Sequence, residues 1–105
     1  MWFCKYVNMT GQNLILINKY GEISSLESQG EPRIEDTFDE VPVGLAVVEK
    51  KTGEAIVNLP QIRSGVFVIV NPEIKDRLKK RTDLVTFNPS DLSANSVLFE
   101  KKIIH

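Results

Sequence analysis

The strongest constraint on the fold is a run of five consecutive apolar residues, Val66 to Val70, followed directly by Asn71 and Pro72. Such a run is typical of a strand that is buried on both faces, so we expect a central strand of a sheet here. Asparagine can accept hydrogen bonds from free backbone N–H groups, and proline suits the first helical position. The sequence therefore predicts a short helix over about residues 72–80, directly after the strand.

Shorter apolar segments on both sides of this run predict further strands. We expect them at residues 2–7, 14–17, 22–26, 83–87 and 97–104. The turn-forming residues at 18–21 predict that the second and third of these strands form a hairpin. The remainder of residues 22–40 carries mostly acidic side chains, seven acidic residues against one basic residue over the whole segment. We expect this part to be irregular and solvated, with a short strand around Arg33 and Ile34.

A second hairpin is predicted between residues 41 and 59. Valine-rich sequence from Val41 to Glu49 is followed by Lys50-Lys51-Thr52-Gly53, and apolar residues resume at Ala55. We expect the turn at residues 50–53, with Gly53 at a positive φ, which glycine adopts without steric cost.

These elements predict an α+β fold, mostly antiparallel or mixed β-sheet with one short helix, as a single domain over residues 1–105. The composition supports a folded chain, because 42% of the residues are hydrophobic and the net charge is only −1. A disordered chain combines few apolar residues with a high net charge.

The sequence favours a cytoplasmic protein. The single cysteine, Cys4, cannot form an intramolecular disulfide, which indicates a reducing compartment. No apolar stretch approaches the ~20 residues that cross a bilayer, so no membrane segment is predicted. The first residues include Lys5 and lack the features of a secretory signal.

Catalytic groups are scarce. The only histidine, His105, is the last residue, and Cys4 falls in a predicted strand, where a buried and inert thiol is expected. Asp36, Asp39 and Glu40 are close enough in sequence to hold Mg²⁺, which leaves a carboxylate and Mg²⁺-dependent phosphodiesterase open as an alternative to a solvated acidic loop. A non-enzymatic protein without a cofactor is the main expectation.

The basic stretch after the predicted helix start is the most informative polar feature. Arginine presents a fork that suits phosphate, so we expect an anionic, nucleotide-like ligand to be held here. The candidate ligand-binding residues are Asn71, Lys75, Lys79, Arg81 and Asp83. The alternatives are a solvated basic face, simple helix capping by Asn71, and an Arg81–Asp83 pair that only fixes the turn.

Two further expectations concern partners. General nucleic-acid binding is disfavoured, because the net charge is −1 and aromatic residues do not alternate with the basic ones. Self-association into a homo-oligomer is expected, because the chain has more aromatic surface than a small sheet easily covers. The aromatic residues concerned are Trp2, Phe3, Phe38, Phe67 and Phe99.

Several short motifs follow one another in a recognisable order. They are Asn8-Met9-Thr10, Arg33, Val41-Pro42-Val43, Gly53-Glu54, Leu59-Pro60, Val68-Ile69-Val70-Asn71 and Arg81-Thr82-Asp83-Leu84. Together they resemble a family of small uncharacterised proteins found mostly in bacteriophages and prophages. Members of that family typically read Asn-Leu-Thr-Pro-His near the start, Ile-Val-Ser before the helix and Arg-x-Asp-Leu after it. Here Gly11 and Gln12 replace the Pro-His pair.

The resemblance implies a small phage-type accessory protein that acts in the cytoplasm of a host cell. Proteins of this kind are expected to counteract host defence, by binding either a nucleotide-like messenger or a defence protein. A minor virion or assembly protein is the structural alternative, in which the basic segment meets an acidic segment such as residues 22–40 of a neighbouring copy.

Overall fold

The computed structural model describes residues 5–105, which form nine strands and one α-helix. The expectations for Trp2, Phe3 and Cys4 lie outside the described residues. The elements are β1 (Lys5–Asn8), β2 (Leu14–Ile17), β3 (Ile23–Leu26), β4 (Arg33–Val43), β5 (Ala46–Val57), β6 (Val66–Ile69), α1 (Pro72–Arg77), β7 (Leu84–Phe87), β8 (Val97–Phe99) and β9 (Ile103–Ile104). Short 3₁₀ turns cover Pro89–Asp91 and Glu100–Lys102. The predicted α+β class, with mixed and antiparallel sheets and one short helix, is confirmed.

A four-stranded sheet with the order β1-β6-β7-β9 forms the centre of the molecule. Strand β6 pairs in parallel with β1 on one side and with β7 on the other, and β9 runs antiparallel to β7. Val68, Ile69 and Val70 are almost fully buried. The prediction of a central strand at residues 66–70 is therefore confirmed.

A three-stranded sheet with the order β3-β2-β8 covers one face of the central sheet. The predicted β2–β3 hairpin is confirmed, and the Asn18 side chain accepts hydrogen bonds from the N–H groups of Tyr20 and Glu22 in its turn. The apolar core between the two sheets contains Leu14, Leu16, Ile69, Val85, Phe87, Leu98 and Ile103.

The other face of the central sheet carries α1 and the base of the β4–β5 hairpin. A second apolar cluster lies there, made of Met9, Val68, Val70, Ile74 and Leu84. Ile34 and Ile56, which are paired near the base of the hairpin, pack against this cluster. The central sheet therefore separates the β3-β2-β8 sheet from the helix and the hairpin.

The helix ends at Arg77 and is therefore shorter than the predicted 72–80. Leu78 has φ −123° and ψ 53°, outside the helical region, and its carbonyl accepts a hydrogen bond from the Arg81 N–H. This tight turn returns the chain to β7. Asn71 does not cap the helix with its side chain, so the capping expectation is wrong.

The predicted strand at residues 97–104 is divided. Strand β8 joins the three-stranded sheet, a 3₁₀ turn follows, and β9 joins the central sheet beside β7. The segment passes from one sheet to the other, and the 3₁₀ turn separates its two strands.

The largest departure from expectation is the β4–β5 hairpin, which we call the arm (residues 33–57). The short strand expected around Arg33 and Ile34 is the start of β4, but residues 35–40 continue this strand and are not irregular chain. The turn lies at Gly44 and Leu45 instead of residues 50–53. Gly44 has φ +62°, whereas Gly53 lies within β5 without a positive φ. A positive φ at the first of two turn residues is the pattern of a type II′ hairpin turn.

The arm gives the molecule an elongated shape. The radius of gyration is 17.9 Å and the principal extents are 67 × 31 × 19 Å. A compact domain of 100 residues has a radius of gyration of about 13 Å. Eleven residues of β4 span roughly 35 Å at about 3.3 Å per residue, so the arm extends well beyond the body.

Candidate functional site

The predicted anion-binding residues Arg81 and Asp83 form a closed pair. Arg81 donates from Nε to Asp83 Oδ1 at 3.0 Å and from Nη2 to Asp83 Oδ2 at 2.6 Å. Its Nη2 also donates to the Pro60 carbonyl at 3.0 Å. The side chains are 21% and 7% exposed respectively. This geometry matches the alternative in which the pair fixes the turn between α1 and β7.

The other predicted site residues do not converge on this pair. Lys75 donates from Nζ to the Leu84 carbonyl at 2.9 Å, which ties the helix to β7. Asn71 donates from Nδ2 to the Thr10 carbonyl at 3.2 Å and to Glu31 Oε1 at 3.0 Å. Lys79 is exposed. The structure thus brings Arg81 and Asp83 together and directs Asn71 toward a carboxylate.

The motif residues Asn8 and Thr10 form a buried polar network. Asn8 Nδ2 donates to the carbonyls of Gln12 (2.7 Å) and Leu26 (2.9 Å), and Asn8 Oδ1 accepts from the backbone N–H of Thr10 (3.0 Å) and its hydroxyl (2.6 Å). Asn8 is 1% exposed. The network fixes the turn after β1 against the end of β3.

Two open clefts lie beside β1. One of about 490 Å³ is lined by residues that include Lys5, Leu26, Glu27 and Arg63. The other, of about 390 Å³, shares Arg63 with it. Neither is lined by any of the five predicted ligand-binding residues. The lining of the first carries both signs of charge and does not define one class of ligand.

The predicted Mg²⁺ ligands are separated by the strand geometry of β4. Successive side chains of a strand point to opposite faces, so Asp39 lies on the face opposite to Asp36 and Glu40. Within residues 5–105, no three acidic, histidine or cysteine side chains are grouped so that they could hold a metal ion.

The arm has two faces, which the alternation of side chains defines. The helix-side face carries the even-numbered residues of β4, because Ile34 packs against the core cluster beside α1 and Glu54, opposite Asp36, pairs with Arg77 of the helix. The far face carries the odd-numbered residues, where the hydroxyls of Thr37 and Thr52 are 3.1 Å apart.

Ion pairs stabilise the arm close to the body. Lys51 Nζ lies 3.1 Å from Asp36 Oδ1 and 3.7 Å from Glu54 Oε1. The hydrogen bond and the charge of Asp36, followed by the charge of Glu54, raise the pKa of Lys51 above its ordinary value.

Further out on the helix-side face, Glu40 and Glu49 are paired directly opposite each other. Directly opposite side chains on one face lie close together, and like charges there are unfavourable. Within the described part of the chain, neither carboxylate forms an ion pair. Phe38, 52% exposed, lies next to this acidic pair on the same face.

The end of the arm, residues 41–48, is entirely apolar and we call it the tip. Its sequence is Val-Pro-Val-Gly-Leu-Ala-Val-Val. Leu45 is fully exposed, and Val43, Val47 and Val48 are between 45% and 63% exposed. The sequence patterns did not predict this surface. The available signal was an apolar run interrupted by Pro42 and Gly44 and bounded by glutamates.

A second exposed apolar surface lies on the β3-β2-β8 sheet. Ile17 pairs with Ile23 on one side and with Phe99 on the other, and Ile15 pairs with Val97. These five side chains alternate with the buried Leu14 and Leu16, so they point away from the core. Ile23 is 70% exposed and Phe99 is 47% exposed. We call this set the outer sheet face.

In comparisons with known proteins, no family model, curated protein or solved structure matches the chain. The phage context consequently rests on the sequence motifs. Within residues 5–105, no helix is long and apolar enough to cross a membrane.

Proposed function

We propose that this chain is a small non-enzymatic binding protein that engages another protein through its arm. The observation that carries the proposal is the exposed apolar tip, which the arm holds away from the body next to the opposed Glu40 and Glu49. Contiguous exposed apolar surface with a polar border is typical of a site of protein–protein contact.

The arm contributes little to the fold beyond its base. Between residues 35 and 54, the side chains of β4 and β5 are exposed with the exceptions of Val41 and Gly53, which are half-buried. Exposed valine and leucine side chains gain no hydrophobic free energy, and a two-stranded hairpin alone is marginally stable. A partner that covers the tip supplies the missing burial.

The tip, and not the strand edges, is the expected contact surface. Charged side chains on an exposed strand discourage edge-to-edge pairing, and proline at an edge removes a backbone donor. The arm has both features in Glu35, Asp36 and Pro42. The tip and its acidic border define the surface that the partner needs. This surface is apolar and lies beside a lysine or arginine that neutralises Glu40 and Glu49.

The family resemblance suggests which class of partner to expect. For a phage-type accessory protein, that is a host defence protein, and for a minor virion or assembly protein it is another structural protein. A nucleotide-like anion has less support, because three of the hydrogen bonds that Arg81 could offer already go to Asp83 and Pro60.

The experiment is site-specific photo-crosslinking in bacterial cells. A photoreactive residue replaces Leu45 at the tip, and the matched control replaces Ala94, which is exposed in a turn of the body. We expect a discrete protein adduct from position 45 that is absent from position 94 and that weakens in the Glu49→Lys background. Equal adducts at both positions, or none at position 45, would contradict the proposal.

A further inference from the structure

The tip and the outer sheet face are two exposed apolar surfaces that one chain cannot bring together. The base of the arm packs with Ile34 and Ile56 on the helix side of the central sheet. The β3-β2-β8 sheet packs on the opposite side through Leu14, Leu16 and Leu98. The central sheet therefore stands between the two surfaces, and contact between them requires two molecules.

The charges beside the two surfaces are complementary. The tip is bordered by Glu40 and Glu49, neither of which forms an ion pair among the described residues. The end of the outer sheet face that carries Ile17, Ile23 and Phe99 is followed by lysines in the adjoining turns. They are Lys19 in the β2–β3 turn and Lys101 and Lys102 in the 3₁₀ turn after β8, and they outnumber Glu22 and Glu100 of the same two turns.

These lysines are available to an incoming carboxylate. Lys19 lies over the exposed ring of Tyr20, 5.1 Å from its centroid. Lys102 is 3.8 Å from Asp91, a distance at the limit of an ion pair, and Lys101 forms no ion pair within the described part of the chain. Rim charges of opposite sign favour one orientation of two apolar surfaces over others.

We propose that the partner of the arm is a second copy of this chain, whose outer sheet face receives the tip. This inference rests on the proposed function and names the occupant. Leu45 at the turn and Val47, which shares the face of Glu40 and Glu49, then cover Ile23 and Phe99, and the two glutamates meet the lysines beside them.

The area of contact determines the assembly. A stable interface buries about 800 Å² on each partner, more than the end of one hairpin supplies. When two copies exchange arms around a two-fold axis, the same contact is made twice and the assembly closes. The expected species is a dimer in which each arm reaches the other body.

The test is sedimentation velocity of the purified full chain over the micromolar range. Three exposed apolar residues allow matched substitutions: Val47→Asp at the tip (63% exposed), Ile23→Asp on the outer sheet face (70%) and Ile62→Asp in a loop outside both surfaces (65%). All three are exposed, and circular dichroism checks that each variant is folded.

We expect the unmodified chain and Ile62→Asp to sediment at twice the 11.9 kDa monomer mass. Val47→Asp and Ile23→Asp each weaken the dimer by about tenfold or more, since each places a charge in an apolar contact. A mixture of these two variants regains part of the association, because one intact tip then faces one intact outer sheet face. Tip-to-tip pairing would give no such recovery.

Three results would overturn the inference. A monomer at every concentration excludes a second copy as the partner of the arm. In that case, a crosslinked adduct of position 45 with another protein would still support the proposed function. Loss of the dimer in Val47→Asp but not in Ile23→Asp would show that the tip contacts a surface other than the outer sheet face. Loss in Ile62→Asp as well indicates unspecific apolar association.

Discussion

Glu40 of β4 and Glu49 of β5 lie directly opposite each other on one face of the arm, between the exposed Phe38 and the apolar tip. Within the described chain, neither carboxylate forms an ion pair, and Lys51, one pair further toward the body on the same face, is paired with Asp36 and Glu54. Two like charges in register reduce the stability of the hairpin. The arrangement therefore favours a bound state in which a partner supplies the cation, over an arm that is stable in isolation.

Glu49→Lys should stabilise the free arm and weaken binding. The substitution converts a like-charge pair into an opposite-charge pair, which is worth about 0.2–1 kcal/mol. Amide hydrogen exchange of residues 38–51 should slow, and the difference should shrink at high salt, because salt screens exposed charges. The control is Asp76→Lys, an equal change of charge at an exposed position of α1. Unchanged exchange in Glu49→Lys would show that the pair has no energetic effect.

Arg81→Ala should destabilise the whole protein. It leaves the carboxylate of Asp83, 7% exposed, without its two hydrogen bonds from the guanidinium. The free energy of unfolding should fall by about 2–3 kcal/mol, a decrease in melting temperature of about 10 °C or more. Lys79→Ala, at an exposed residue of the same turn, should leave the melting temperature unchanged. A stable Arg81→Ala protein that loses affinity for a nucleotide would restore the anion-site hypothesis.

Gly44 and Gly53 should respond differently to alanine. Gly44 has φ +62°, where an L-residue with a Cβ is disfavoured by about 1–2 kcal/mol. At Gly53, an added Cβ meets Thr37 Oγ1 at 3.5 Å, an ordinary van der Waals distance. We expect faster amide exchange near the tip in Gly44→Ala and little change in Gly53→Ala. The reverse result would indicate that the turn lies at residues 50–53, as predicted from the sequence.

Asn8→Ala should destabilise the body. Asn8 satisfies the carbonyls of Gln12 and Leu26 in a buried position, and both would lose that donor. Unsatisfied buried groups cost about 1–3 kcal/mol in the free energy of unfolding. Chemical denaturation measures this difference, with Asn95→Ala at an exposed turn as the control. Equal stability of the two variants would mean that water replaces the Asn8 side chain.

The sequence predicts the core elements well because their signals are local. Five apolar residues in succession at 66–70 have few alternatives to a buried strand, and Asn18 with Gly21 defines the β2–β3 turn. The arm lacks such a signal. Residues 35–40 show no alternation of apolar and polar side chains, so only their pairing with β5 identifies them as a strand. The glycine that turns the arm, Gly44, is hidden in an apolar run.

The candidate site was harder to predict than the fold. The Arg81–Asp83 contact joins residues two positions apart, and the sequence analysis considered it as an alternative. Asn71, in contrast, takes its partners from Thr10 and Glu31, which are 61 and 40 positions away. The exposed apolar tip could not be predicted either, because sequence patterns assign runs of apolar residues to the core.

If the arm serves contact with another protein and does not hold the fold together, the body should fold without it. The most direct test removes residues 37–53 and joins Asp36 to Glu54, which lie opposite each other in register, through an Asn-Gly turn. Ile34, Ile56 and the Arg77–Glu54 pair remain. We measure the melting temperature of this shortened chain. We expect a cooperative transition within a few degrees of that of the full chain, whereas an unfolded or strongly destabilised protein would show that the arm holds the fold together.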